Sequence, residues 1–515
     1  PKLREYNTPL SKAMLQGLRK ERTLPRNAGG LISCENVFPR DGVFVPGNEV
    51  LWPFEGSPQI VHWPYPQFLQ GLSGLLLAYS DALYSVDADY TTTEYSIYDL
   101  ASPATTITLA ADSEDQFHLA DFGGGFWLLF RPDCTILRLN QAGMFGESVV
   151  VYGQDEITMN TGTAFRGRLV VGGFNPADYW PVDWDSLLEH WTDQLDYQVD
   201  TTVAMNQNFV MWSQIGGGDI LSMFQASSAV GGPLQEDERG LTDMLFIERI
   251  RRNEWGFMPM PFSGSVYCVK ELGNGLMVYG SNGIAYMQPV ASPVPTFGCR
   301  QILNVGLLSR GAVGGDENQH VFITEDGTAW LASAEPKLTR LGYGEFFGAL
   351  SNPVVCLDVP RSEFHISDEE TGYILTKDGL GGSSQYTASL QHWSDDLIGT
   401  FEDAASTESI LVTDVIDFGV RDLKTVTFVD LGLTTDEAVY VAADYRYSKS
   451  ADFTRSAWVL VNNEGFARLQ LTALEFRLCI RVAANTSLQL DSINLRWQLS
   501  GKRTTRGFYD TTAGQ

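Results

Sequence analysis

One pattern constrains this chain more than any other. Leu272–Pro289 reads LGNGLMVYGSNGIAYMQP, two short apolar runs, Leu276–Tyr279 and Ile284–Met287, parted by Gly280-Ser281-Asn282-Gly283. Val, Ile and Tyr suit a pleated strand, and Gly and Asn accept the positive φ of a tight reversal, so the stretch predicts a β-hairpin. The same form recurs at Gly71–Asp87, Phe122–Asn140, Glu317–Ala332 and Ser362–Thr376, and more loosely at Phe165–Phe174 and Asn206–Leu221. These seven cues span about 310 residues with steps mostly of about 40 to 50, the spacing of propeller blades. A lone small sheet cannot cover both its faces, and blades arranged radially bury each other. An all-β chain is expected, built on a β-propeller of six or seven blades over residues 29–395.

Other segments break the pattern. Residues 1–28 form a basic arm around one short helix, with Pro9 at its start and Met14, Leu15 and Leu18 on its apolar side. Residues 29–66 are rich in Pro, Gly and aromatics and predict an irregular lead-in lying on a sheet. The step from Asn206 to Leu272 exceeds one blade. Residues 230–262 are therefore expected to project as an insertion with a helix-like piece, Thr242–Arg252. A second insertion at about 175–200 is rich in Trp, Tyr and Asp and reads either as a loop packed on the blades or as a subunit contact. Residues 396–409 read as a linker. Residues 410–500 hold seven alternating runs in about 90 residues, which predicts a C-terminal β-sandwich, and 501–515 is a basic tail.

Charge excludes one class of function. The chain carries −28 overall, yet residues 1–26 have seven Lys/Arg against two acidic residues, and 500–515 have three against one. The body between therefore carries −35, which does not bind nucleic acid by neutralising phosphates. Six widely spaced cysteines without CxxC predict buried thiols rather than disulfides or a zinc finger. No run of about 18 apolar residues predicts a membrane span. The first 26 residues lack a secretory apolar core, so synthesis in a cytoplasm is expected.

Catalytic patterns do not stand out. The six histidines are scattered without HxH or HExxH spacing. Gly123-Gly124-Gly125 and Gly216-Gly217-Gly218 lack the Lys-Ser/Thr of a phosphate loop. Thr324–Trp330 has a superficial likeness to the Asp-box of sialidases, but Asp326 and Gly327 are adjacent, which predicts a hairpin turn under a packed Trp. Acidic pairs are too abundant for any one to inform. No enzyme activity, metal or cofactor is expected.

The C-terminal third carries a resemblance. Asp417-Phe418-Gly419, Lys424, Tyr445-Arg446-Tyr447-Ser448, Trp458, Asn463-Glu464-Gly465, Glu475-Phe476-Arg477, Asn494-Leu495-Arg496-Trp497-Gln498, Gly501-Lys502-Arg503 and Arg506-Gly507-Phe508-Tyr509 follow in that order. With the basic arm and Cys34-Glu35-Asn36-Val37, this order resembles the tail nozzle or head-to-tail connector proteins of short-tailed bacteriophages, of the tubular-protein-B type. The resemblance implies a structural virion protein of the tail, assembled in the host cytoplasm. Its implied form is a ring of subunits, commonly six, below the portal and adaptor. Such a ring contacts tail fibres or spikes, helps retain the genome, and passes DNA without reading its sequence. On this reading Lys2, Arg4, Lys12, Arg19, Lys20, Arg22, Lys502, Arg503 and Arg506 make inter-ring contacts. Glu236, Asp237, Glu238 and Asp243 of the insertion face the channel. The rival expectation is a carbohydrate-binding or glycan-cleaving propeller, which predicts a pocket with converging carboxylates about 5 to 10 Å apart. An intracellular interaction propeller is a third, disfavoured by the lack of WD-type repeats.

Overall fold

The computed structural model describes residues 4–501 apart from 23–26, 48, 57–59, 73, 100–104, 140–142, 144, 148–157, 176–206, 214, 216–255, 291–295, 404–407 and 434–436. Strands dominate. Six successive sheets, here blades 1 to 6, open with the strands Gln67–Gly71, His118–Asp121, Thr158–Phe165, Val266–Leu272, Val313–Gly315 and Val354–Asp358. Each is a four-stranded antiparallel meander, and blade 2 gains a fifth strand, Ile97–Asp99, in parallel.

Blade 4 shows why the apolar runs are continuous rather than alternating. Along Gly275–Gly280 every residue is buried. Leu276 and Val278 pack with Val170, Val210 and Trp212 of blade 3. Met277 and Tyr279 pack with Val313, Phe322 and Ala332 of blade 5. Successive side chains point to opposite faces, and here both faces are covered. Each such side chain contributes about 1.5–3 kcal/mol by leaving water. The reversal after this strand was expected to need positive φ, and it does not: neither Gly280, Asn282 nor Gly283 adopts one. The glycines make room instead. A Cβ on Gly280 would lie 2.3 Å from the Phe262 ring, and one on Gly283 2.6 Å from the Phe262 Cβ.

The blades close into a ring. First strands are neighbours from blade 1 through blade 4 and again from 5 to 6. Blades 4 and 5 share a core and the bond Leu307 N–H to the Gly280 carbonyl, 3.0 Å. Between blades 6 and 1 sits a hairpin, Gln385–Trp393 and Asp396–Asp403, whose first strand touches both. Arg310 ties blade 5 to blades 2 and 3, which are not its ring neighbours, through Asp115 at 3.2 Å and the Asn160 carbonyl.

The two chain ends build the remaining unit together. One sheet runs Glu5–Pro9, Asn494–Gly501, Leu423–Asp430, Phe466–Ala473. The other runs Leu31–Glu35, Glu408–Thr413, Glu475–Ala483, Tyr440–Arg446, with two short pieces, Thr454–Arg455 and Val459–Leu460, on its last strand. Val426, Val429 and Leu495 of the first sheet share a core with Leu411, Val441, Leu478 and Ile480 of the second. Trp497 stacks between Tyr6 and Phe418, ring centroids 4.7 Å away on either side, and donates from Nε1 to Thr8 at 2.9 Å.

Several expectations are corrected. The N-terminal segment is not a helical arm. Glu5–Pro9 is an edge strand, and Pro9, lacking a donor, ends it. The helix is a single 3₁₀ turn, Lys12–Gln16, stopped by Gly17 at φ 78°, where a Cβ would sit 2.1 Å from the Leu380 carbonyl oxygen. Met14 and Leu18 are buried inside the chain's own core. The lead-in at 29–66 is more regular than expected, holding Leu31–Glu35, Val37–Arg40 and Val43–Pro46. The two loose cues belong to one blade, because Arg168–Asn175 pairs with Phe209–Trp212. Gly256–Pro259, expected in the insertion, is that blade's fourth strand. The expected linker at 396–409 contains a strand of the closing hairpin and the start of Glu408–Thr413. The insertion at about 175–200 and the segment Thr242–Arg252 lie outside the described residues.

Candidate interaction surface

Charge is divided between the two parts of the fold. Residues 1–46 and 408–515, which supply the strands of the two facing sheets, sum to +3, whereas 47–407 sum to −31. The outer face of the second sheet groups four arginines, Arg446, Arg455, Arg477 and Arg481, with Asp444 and Glu475.

Strand alternation puts Tyr440, Ala442, Asp444 and Arg446 on one face, opposite Arg481, Cys479, Arg477 and Glu475 of the neighbouring strand. The chain then turns at 447–453 and lays Phe453 and Trp458 across this face. Phe453 lies between Arg446, 4.5 Å from its centroid, and Arg477, 4.0 Å. Trp458 lies between Arg455, 5.6 Å, and Arg481, 4.6 Å. Guanidinium planes favour aromatic faces, and desolvation strengthens the contact. Two carboxylates set the geometry. Asp444 takes a fork from Arg455 at 2.7 and 3.0 Å, which raises the Arg455 pKa and fixes its charge. The buried Glu475 accepts from Arg446 Nε at 2.6 Å. Burial, together with the nearby Arg446 and Arg19 cations, lowers the Arg477 pKa. Tyr447 and Leu460 stand exposed beside the ladder. Cations, aromatic rings and exposed apolar atoms together make up this face.

The expected contact residues divide into three groups. Arg4, Lys12 and Arg22 are exposed, with Arg4 5.4 Å over the Tyr6 ring. Arg19 is not available to a neighbour: it bridges Glu345 at 2.8 Å and Asp414 at 2.7 Å, locking the N-terminal segment onto blade 5 and the second sheet. Burial works against its charge, but the two carboxylates outweigh burial and raise its pKa. Lys20 is exposed at its side chain, while its carbonyl accepts from the Tyr343 amide. Lys2, Lys502, Arg503, Arg506, Glu236, Asp237, Glu238 and Asp243 lie outside the described residues. Sequence reasoning missed the ladder, although the alternation of EFRLCIRVAA contains its signal: Arg477 and Arg481 fall on one face.

Elsewhere, Thr324 donates to Asp326 at 2.6 Å and Trp330 Nε1 donates to Thr324 at 3.3 Å, the capped turn expected there. Among the described residues no group of three His, Cys, Asp or Glu is placed to hold a metal ion. No described helix is long and apolar enough to cross a membrane.

No family model matches this chain, and no curated protein matches it. Among solved structures it is similar to PorZ, a surface component of the type-IX secretion system of Porphyromonas gingivalis, at 10% identity and TM-score 0.33, covering 67% of this chain and 35% of that one. It is similar to the Pan2 WD40 domain of Neurospora crassa at 8% identity and TM-score 0.33, covering 70% and 89%. It is also similar to the WD40 β-propeller domain of Doa1 at 11% identity and TM-score 0.32, covering 66% and 98%. These likenesses say nothing of function.

Proposed function

We propose that this chain is a structural subunit of a tailed-phage virion, forming a nozzle or connector ring below the portal and adaptor. In this reading the six blades and the closing hairpin are a seven-bladed propeller, and the two facing sheets are a β-sandwich made from both chain ends. The observation that supports it is the charge division, +3 on the chain ends against −31 on the segment between them. Opposite signs on two parts of one subunit favour head-to-tail contacts, and heterologous contacts close into rings when their rotation allows. The acidic part repels a polyanion, which suits a passage through which DNA slides without sticking. Six copies, and fibre or spike proteins as neighbours, follow from the resemblance of the C-terminal third. The test is the mass of the purified chain with negative-stain images of the same sample. Closed rings with a hole wide enough for duplex DNA agree with the proposal, and monomers that fail to join a portal–adaptor complex refute it.

A further inference from the structure

A cavity of about 720 Å³ opens where the N-terminal segment crosses between blades 5 and 6. That volume is in the range of small-molecule sites. Its walls include Leu331 and Leu341 of blade 5 and Phe364 and Leu375 of blade 6. Phe364 and Leu375 are buried, whereas Leu331 and Leu341 are only half-covered, leaving apolar atoms in contact with solvent. Such atoms are stabilised when the apolar part of a ligand covers them.

The rim has the opposite character. Lys20, Arg340 and Lys377 line it, in a chain whose central segment is strongly acidic. The acidic residues nearby are mostly committed. Lys377 bridges Asp41 at 2.7 Å, Asp378 accepts the Asp41 amide at 2.6 Å, and Glu345 is held by Arg19. Glu21 is the other carboxylate at the rim. Lys20 and Arg340 make no close salt bridge among the described residues, and the more distant Asp326 carboxylate is the one that feels the Arg340 charge.

We infer that this cavity binds a small amphipathic anion, one carboxylate or similar oxyanion on an apolar body. The head sits between Arg340 and Lys20, and the body lies against Leu331, Leu341 and Phe364. This goes beyond the ring proposal, and the two stand or fall separately.

The experiment titrates dodecanoate into the full chain, with acetate and dodecyltrimethylammonium as controls, all below micelle formation. Binding is read by calorimetry and by displacement of 8-anilinonaphthalene-1-sulfonate. The expected result is saturable one-to-one binding of dodecanoate alone. Arg340→Glu, on an exposed strand position, is expected to weaken it about tenfold by replacing attraction with repulsion. Lys20→Glu acts in the same direction, and Leu331→Trp blocks the body by filling the wall. Absence of saturable dodecanoate binding overturns the inference. So does equal binding of the cationic amphiphile, or unchanged affinity in both charge-reversed variants when their melting curves match the parent.

Discussion

Leu51 and Gly399 hold the ring shut. The Leu51 amide donates to the Leu397 carbonyl at 3.0 Å, and the Gly399 amide donates to the Leu51 carbonyl at 3.0 Å. A residue ahead of blade 1 thereby forms a single parallel bridge to Ile398 of the hairpin that follows blade 6. Val50 adds two bonds to the Gln385 side chain, both 3.1 Å. The N-terminal and C-terminal parts of the propeller are fastened by backbone rather than by packing alone.

Leu51→Pro removes one of these donors. It is expected to lower unfolding stability by about 0.5–1.5 kcal/mol, the net worth of one hydrogen bond, since Leu51 is exposed and Leu397 half-buried. In limited proteolysis, cleavage within 385–403 should precede cleavage of blades 2 to 5. Uniform cleavage across the blades would show that closure does not depend on this bridge.

Trp497 is the equivalent fastener of the two-sheet unit. Trp497→Ala should cost about 3–5 kcal/mol in denaturant melts. A double-mutant cycle with Tyr6→Ala should return about 0.5–1.5 kcal/mol of coupling for the stacked pair. A coupling of zero would mean that the N-terminal strand is held by its backbone alone.

Deleting residues 1–26 distinguishes a docked segment from a free arm. Met14 and Leu18 are 1% and 4% exposed within the shared core, and Arg19 bridges two units. The truncated chain is therefore expected to melt lower and to bind a hydrophobic dye, rather than fold normally and merely fail to associate. An unchanged melt would contradict the packing described.

Much of the fold was legible in the sequence. Five strong hairpin cues each fell in a separate blade, because strands covered on both faces must be short apolar runs with turn residues between them. The alternating runs after residue 410 were equally plain. What was not legible depended on distance along the chain. Nothing local marks Leu31–Glu35 as the partner of Glu408–Thr413. Nor does anything local show that Phe209–Trp212 must wait until Gly256–Pro259 for its next strand. The N-terminal helix was misread because Met14, Leu15 and Leu18 have helical spacing, yet Gly17 ends the turn to let the chain approach Leu380. The arginine ladder was hidden for the same reason. Its members come from positions 446, 455, 477 and 481 and meet only through strand register.

Buried histidines give the chain an acid limit. His320 is fully buried, accepting at Nδ1 from the Tyr279 hydroxyl at 2.8 Å and donating from Nε2 to the Glu271 carbonyl at 3.0 Å. Burial pushes its pKa down to about 3 and that of His365 down to about 4. Both are neutral in the fold and take up a proton on unfolding below about 6.5. Stability from these sites is full above that pH and is lost as pH falls toward 4 and then 3. His365→Leu, which removes the unpartnered Nδ1, should reduce the acid slope of unfolding free energy by about one proton. An unchanged slope would assign the acid limit to carboxylates.

Sedimentation at two ionic strengths, about 50 mM and about 500 mM, tests the central claim most directly, because salt at the higher value screens charges beyond a few ångströms. The account predicts closed oligomers at low salt that dissociate at high salt, and a shift toward monomer when Arg455 and Lys449, both exposed on the basic part, are changed to Glu. Monomer at both salt levels and at every concentration, with no effect of the charge reversals, would contradict it.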